Sequence, residues 1–170
     1  MRHILRRHEW VVDEWRYQGE DGAESEGAAL IVPLARWRAD AERWRSWSGL
    51  LGVRLTPLDA VAELAADLAR LSLVAVEFPN PGDGRGYSQG RLLRERLAFR
   101  GELRAVGPGV RQDQVFLLAR CGFDAIELAA GEDPEAARAA LTRYDVAYQP
   151  GAPGAALVAL RRQRFLSRDA

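Results

Sequence analysis

The chain has 170 residues, 48% hydrophobic and 28% charged, which is enough to bury one core and too short for two ordinary domains. Its 24 basic and 24 acidic side chains cancel, so no long-range field draws it onto nucleic acid or an anionic membrane. No apolar run approaches the length of a membrane span and the first ten residues lack a signal-like apolar stretch, so the cytoplasm is the expected compartment.

Three segments are expected: an N-terminal edge strand and acidic loop over 1–27, an α/β domain over 28–149, and a linker with a basic helix or tail over 150–170. Trp10–Tyr17 reads as the edge strand. From residue 28 onward short β-rich runs alternate with helix-period runs, the pattern of repeated βα units on a mostly parallel sheet. The first run is 29–34, with a helix from Arg36 to Ser48 closed by Gly49 and Gly52. The second is 52–56, followed by a helix opened by Pro57 to Asp59 and carrying Val61, Leu64, Leu68 and Leu71 at helical spacing. Leu73–Phe78 is almost continuously apolar, as a central strand covered on both faces should be. The Gly-rich loop 79–88 then leads into a helix with Leu92, Leu93 and Leu97. A strand at 102–106 precedes a helix from about Asp113 to Arg120 that stops at Gly122, and Phe123–Leu128 is the next strand. Asp133 as N-cap with Pro134 at the first helical position starts another helix, and Val146–Tyr148 adds a short sixth strand. Five or six such units fit an open doubly wound sheet, with a partial (β/α) barrel, closed by dimerisation, as the alternative.

Every basic side chain is Arg, and there is no Lys, which excludes Walker-type phosphate loops and Schiff-base chemistry. The absence of Lys reflects genomic base composition more than function. One cysteine, Cys121, and two histidines, His3 and His8, exclude Cys-rich zinc sites, self-contained iron–sulfur clusters and internal disulfides. Cys121, without a neighbouring His in sequence, reads as a buried structural thiol.

The loop Asp83-Gly84-Arg85-Gly86-Tyr87-Ser88 is the strongest local signal. One reading is an ordered turn or a protein-contact loop. The other is a phosphate or nucleotide site, with Arg85 gripping the anion, glycines admitting it and Ser88 capping the helix or bonding the ligand. Asp113 and Gln114 lie on a loop that would stand above the same strand edge. Glu77, Arg104 and Glu127 place an ionisable group in each of three consecutive strands. They read as an ion-pair network or solvated strand ends, or as a cluster in which Arg104 bridges two carboxylates at the ligand edge. Trp37, Trp44 and Trp47 share one helix face, suiting the core or a partner-docking stripe. The arginines at 161, 162, 164 and 168 suit a solvated tail or an acidic partner.

Several of these stretches in order resemble one family: Asp83 to Ser88, Leu92 to Arg96, Gly101 to Gly107, Asp113-Gln114, and Arg120-Cys-Gly-Phe-Asp-Ala125. Together they are similar to the bacterial domain-of-unknown-function family 934, over most of residues 28–149. Members are typically encoded beside assimilatory sulfite reductase and phosphoadenylylsulfate reductase and are often labelled oxidoreductases of sulfite reduction. The family supplies no established catalytic residues or cofactor to carry over. Where it commonly has an acidic residue after the glycine that ends the 102–106 strand, this chain has Pro108.

What the resemblance implies is an accessory protein whose partner is the sulfite reductase haemoprotein, acting by docking, electron delivery, assembly or regulation. The cysteine inventory agrees that the chain is not the reductase itself, since sulfite reduction runs on a sirohaem and iron–sulfur centre. The alternative is a small-molecule enzyme that binds a phosphorylated or nucleotide ligand at the βα loops, with Glu77 or Asp113 as general base.

Overall fold

The apolar runs form the strands their composition predicts, but they are joined in an order that local pattern does not reveal. The computed structural model describes residues 2–20, 24–25, 27–142 and 151–152. Eight strands form one sheet: β1 His3–Arg6, β2 Glu9–Val12, β3 Arg16–Tyr17, β4 Leu30–Pro33, β5 Leu51–Leu55, β6 Leu73–Glu77, β7 Glu102–Val106 and β8 Ala125–Ile126. Their spatial order is β2-β1-β8-β7-β6-β5-β4-β3. From β3 to β8 every pair is parallel, whereas β1 runs antiparallel to both β8 and β2.

The fold is α/β, as expected, but the sheet is mixed and eight-stranded rather than mostly parallel with five or six strands. The doubly wound arrangement is also corrected. A doubly wound sheet reverses its strand order at a switch point, and here β3 to β8 advance one position at a time. Successive crossovers of one hand then leave their connections on a single face, and the other face becomes the inside of a curl.

The curl is forced by the chain itself. β2 and β3 are the two edges of the sheet, yet only Asp13, Glu14 and Trp15 separate them. Those residues span at most about 14 Å when fully extended, against about 34 Å across a flat sheet of eight strands. The sheet therefore bends into a half-barrel whose open side is strapped by residues 13–15.

Two apolar clusters follow from the two faces. Val74 and Val76 of β6 join the main core under the helices, with Leu30, Val32, Val53, Leu55, Leu103 and Ile126. Leu73 and Ala75 of the same strand meet Ile31, Val106 and Trp15 on the concave side. A strand buried on both faces needs the unbroken apolar run that 73–76 supplies.

Helices are shorter than their periodicity predicts. The expected helix over 36–48 is two pieces, α1 Leu34–Ala39 and α2 Ala41–Arg45, broken where Asp40 adopts φ −145° and ψ 56°. Trp37 and Trp44 are buried, and Trp47 packs on the same core. Their indole N–H groups donate to Asp67 Oδ2, Arg36 O and Ala28 O, each at 3.0 Å. The expected helix after Asp59 is a pair of 3₁₀ turns, Val61–Leu64 and Leu68–Arg70. Helix α3 Arg85–Arg91 runs into a π-helical turn, Leu92–Arg96. The segment from Asp113 is a 3₁₀ turn, Gln112–Gln114, followed by α4 Val115–Arg120, with Gly122 at φ +96°. Helix α5 Pro134–Thr142 starts as expected, Glu135 N donating to Asp133 Oδ1 at 2.9 Å.

The expected edge strand 10–17 is instead parts of β2 and β3 on opposite edges, and the expected strand 123–128 contracts to β8. The expected strand 146–148 and terminal helix lie outside the described residues. No helix among the described residues is long and apolar enough to cross a membrane.

Candidate functional site

The carboxyl ends of parallel strands are where βα folds place ligands, because the loops and helix starts there expose N–H groups and variable side chains. In this half-barrel that edge carries Arg54, Glu77 and Glu127 on the concave face, with Tyr17 reaching in from β3. Arg54 pairs with Glu77 at 2.9 Å. The Tyr17 hydroxyl donates to Glu127 Oε2 at 2.9 Å, and the guanidiniums of Arg2 and Arg54 lie 4.5 and 5.7 Å from its ring centre. Burial, then the neighbouring Glu127 carboxylate, push the Tyr17 phenol well above its ordinary value.

Deeper in the curl, Arg104 is fully buried. It bonds Asp13 Oδ2 at 2.9 Å and Glu102 Oε1 at 2.7 Å. Asp13 also takes Arg2 at 2.9 Å, and Glu102 takes Arg6 at 2.9 Å. Burial works against the Arg104 charge, but the two carboxylates outweigh it and raise its pKa. The structure thus brings Glu77, Arg104 and Glu127 onto one face, yet the carboxylates that Arg104 bridges are Asp13 and Glu102. Sequence reading missed Asp13, Tyr17, Arg54 and Glu102. Arg54 and Glu102 carried a signal, a charge at an alternating position of an apolar run. Asp13 carried none, because its role depends on the strap.

The Gly-rich loop is a compact turn. Gly82 N donates to Asn80 Oδ1 at 3.1 Å. Asp83 accepts the Arg85 backbone N–H at 3.1 Å and its side chain at 2.9 and 2.6 Å, and this hydrogen bonding holds the Asp83 carboxyl below its usual range. Gly84 starts α3, while Ser88 is exposed within it. Gly86 and Gly90 face inward: a Cβ on either would lie 2.6 Å from the ring of Phe78 or Phe123 respectively. These glycines admit aromatic rings that pack edge to face at 5.8 Å.

Asp113 and Gln114 lie apart from the charged curl. They line a loop cavity of about 430 Å³ with Pro81, Arg111, Gln112, Gly131 and Glu132. Gln114 Nε2 donates to Pro81 O at 3.0 Å, which leaves its buried Oε1 without a partner among the described residues. Among those residues no group of three or more His, Cys, Asp or Glu side chains is placed to hold a metal ion.

Three of the family-like stretches, Leu92–Arg96, 101–107 and 120–125, converge on one knot. Arg94 donates to Gly122 O, Phe99 O and Gly101 O at 2.9, 2.6 and 3.0 Å and pairs with Asp124. Asp124 Oδ2 also accepts Leu103 N at 3.0 Å. A Cβ on Gly122 would stand 2.6 Å from Arg94 Cγ. Residues 52–157, more than half of the chain and including this knot, match the family model described as "Bacterial protein of unknown function (DUF934)". The chain is a DUF934 protein. No curated protein matches it. In this DUF934 protein the recognisable motifs tie the π-helical turn after α3 to the segments that lead into β7 and β8, and the Gly101-Glu-Leu-Arg-Ala-Val-Gly107 stretch delivers Arg104 to the concave face.

Proposed function

We propose that this DUF934 protein is an accessory of assimilatory sulfite reduction that acts on the reductase by docking, electron delivery, assembly or regulation, without turnover of its own. The observation that carries this reading is how its charged groups are engaged. Arg2, Arg54, Arg85 and Arg104 each bond carboxylates of their own chain, and the Cys121 thiol is buried with its pKa raised by that burial. Side chains fixed in this way support a rigid presenting surface better than a reaction centre. The sulfite assignment rests on what the family resemblance implies.

A second reading, a small-molecule enzyme, is favoured by the loop cavity with Asp113 and the unpartnered Gln114 Oε1. The two separate in one experiment. Deletion of the gene should abolish growth on sulfate while leaving growth on cysteine intact, and tagged protein should retain the sulfite reductase haemoprotein on purification. Normal growth on sulfate with no reductase retained overturns the accessory role. Stabilisation by a phosphorylated or nucleotide ligand that Asp113→Asn removes would favour the enzyme.

A further inference from the structure

The opposite end of the half-barrel holds a second cavity, of about 630 Å³, at the amino ends of the parallel strands. Trp15 of the strap, Leu50 before β5 and Phe99 before β7 form its apolar wall, and Leu50 is 56% exposed. Of the acids around it, Asp124 is bonded to Arg94 and the Leu103 N–H, and Glu102 to Arg6 and Arg104. Arg7 and Arg100 also line the cavity. Both are exposed, and neither pairs with a carboxylate among the described residues. Glu14 is the one lining acid without an ion pair among those residues, so unpaired positive charge prevails.

The backbone that delivers these two arginines is unusual. Among the described residues the non-glycine positions with positive φ are Arg7 at 49°, His8 at 73° and Ala98 at 51°. The first two form the β1–β2 turn, where Asn-Gly is the favoured pair. The third lies two residues before Arg100. Left-handed backbone at ordinary residues persists only where its surroundings impose it, and it gathers at sites that present side chains.

We propose that this cavity binds a small organic anion, a carboxylate or phosphate ester on an apolar body, with Arg7 and Arg100 on the charged end and Leu50, Trp15 and Phe99 on the apolar part. Guanidiniums form paired charge-assisted bonds to such oxyanions, and a cavity of this size suits a small molecule. The site is separate from the loop cavity at the carboxyl edge and does not depend on the sulfite assignment.

Calorimetric titration of the full chain with phenyl phosphate, inorganic phosphate and phenol tests it. Phenyl phosphate should saturate one site, and each fragment should bind more weakly by about tenfold or more. Arg100→Ala and Arg7→Gly should each weaken phenyl phosphate by about tenfold, while Arg138→Ala on α5 changes nothing. Arg7→Gly suits the positive φ and should keep or raise the Tm while losing affinity. Absence of saturable binding, equal affinity for phenyl and inorganic phosphate, unchanged affinity in both variants, or a lower Tm for Arg7→Gly would each overturn the proposal.

Discussion

Tyr17 shows how one side chain couples the two sides of the curl. It sits on β3, its hydroxyl donates to Glu127 beyond β8, and two guanidiniums flank its ring. Burial and the adjacent carboxylate disfavour the phenolate, so the folded phenol keeps its proton above pH 10, about where an unfolded tyrosine loses it. A pKa raised by folding means that the native state binds the proton more tightly. The contribution is complete below about pH 10 and is lost as pH rises through the folded value. Ultraviolet titration should therefore show a late-ionising tyrosine, and Tyr17→Phe should both remove it and flatten the alkaline fall in stability. An unchanged alkaline limb in Tyr17→Phe would refute the coupling. None of this was legible in the sequence, where Tyr17 reads only as the end of an edge strand. Arg104 was legible as an ionisable residue in an apolar run, but its carboxylate partners were not, because one of them lies 91 residues away.

Helix α3 is where sequence reading and packing diverge most usefully. Glycines spaced through 82–90 suggest either a ligand loop or a tight turn, and composition does not separate the two. The structure divides them by environment: a Cβ on Gly82 or Gly84 would make only an ordinary van der Waals contact, at 3.5 or 3.9 Å, whereas on Gly86 or Gly90 it would run into an aromatic ring. Gly86→Ala and Gly90→Ala should each destabilise by about 1–3 kcal/mol through overpacking, and Gly84→Ala should be near neutral, as urea unfolding would read. Equal effects at all three would mean that the Phe78 and Phe123 rings do not set the spacing. Capping chemistry, by contrast, was readable outright. Asp133 and Pro134 start α5 because the N-cap bond and the fixed proline φ act within a few residues and need no tertiary help. The helices expected after β4 and β5 carried equally regular apolar spacing yet became two short helices and a pair of 3₁₀ turns. Their length is set by what the curled sheet leaves to cover, which periodicity does not encode.

For the molecule as a whole, the strap decides closure. The side chain of Asp13 is fully buried between Arg104 and Arg2, so the link between the two edge strands is also the counter-charge of the interior. Asp13→Ala leaves Arg104 short of a carboxylate and should cost about 3–5 kcal/mol, the usual penalty for breaking a buried pair from one side. Chemical denaturation measures this, and a loss below about 1 kcal/mol, the scale of a surface pair, would mean that the strap does not hold the curl. The sequence by itself determined the α/β class, the family, the course of β6 and β7 and the start of α5, since each is written in neighbouring residues as a period, a cap or a motif. Only the tertiary structure decided that β1 joins the sheet, that β2 and β3 form its opposite edges, that β3 to β8 follow one another without reversal, and which carboxylates meet Arg104. Those outcomes depend on which distant segments pair, and alternation along one strand says which face is buried without naming the neighbour.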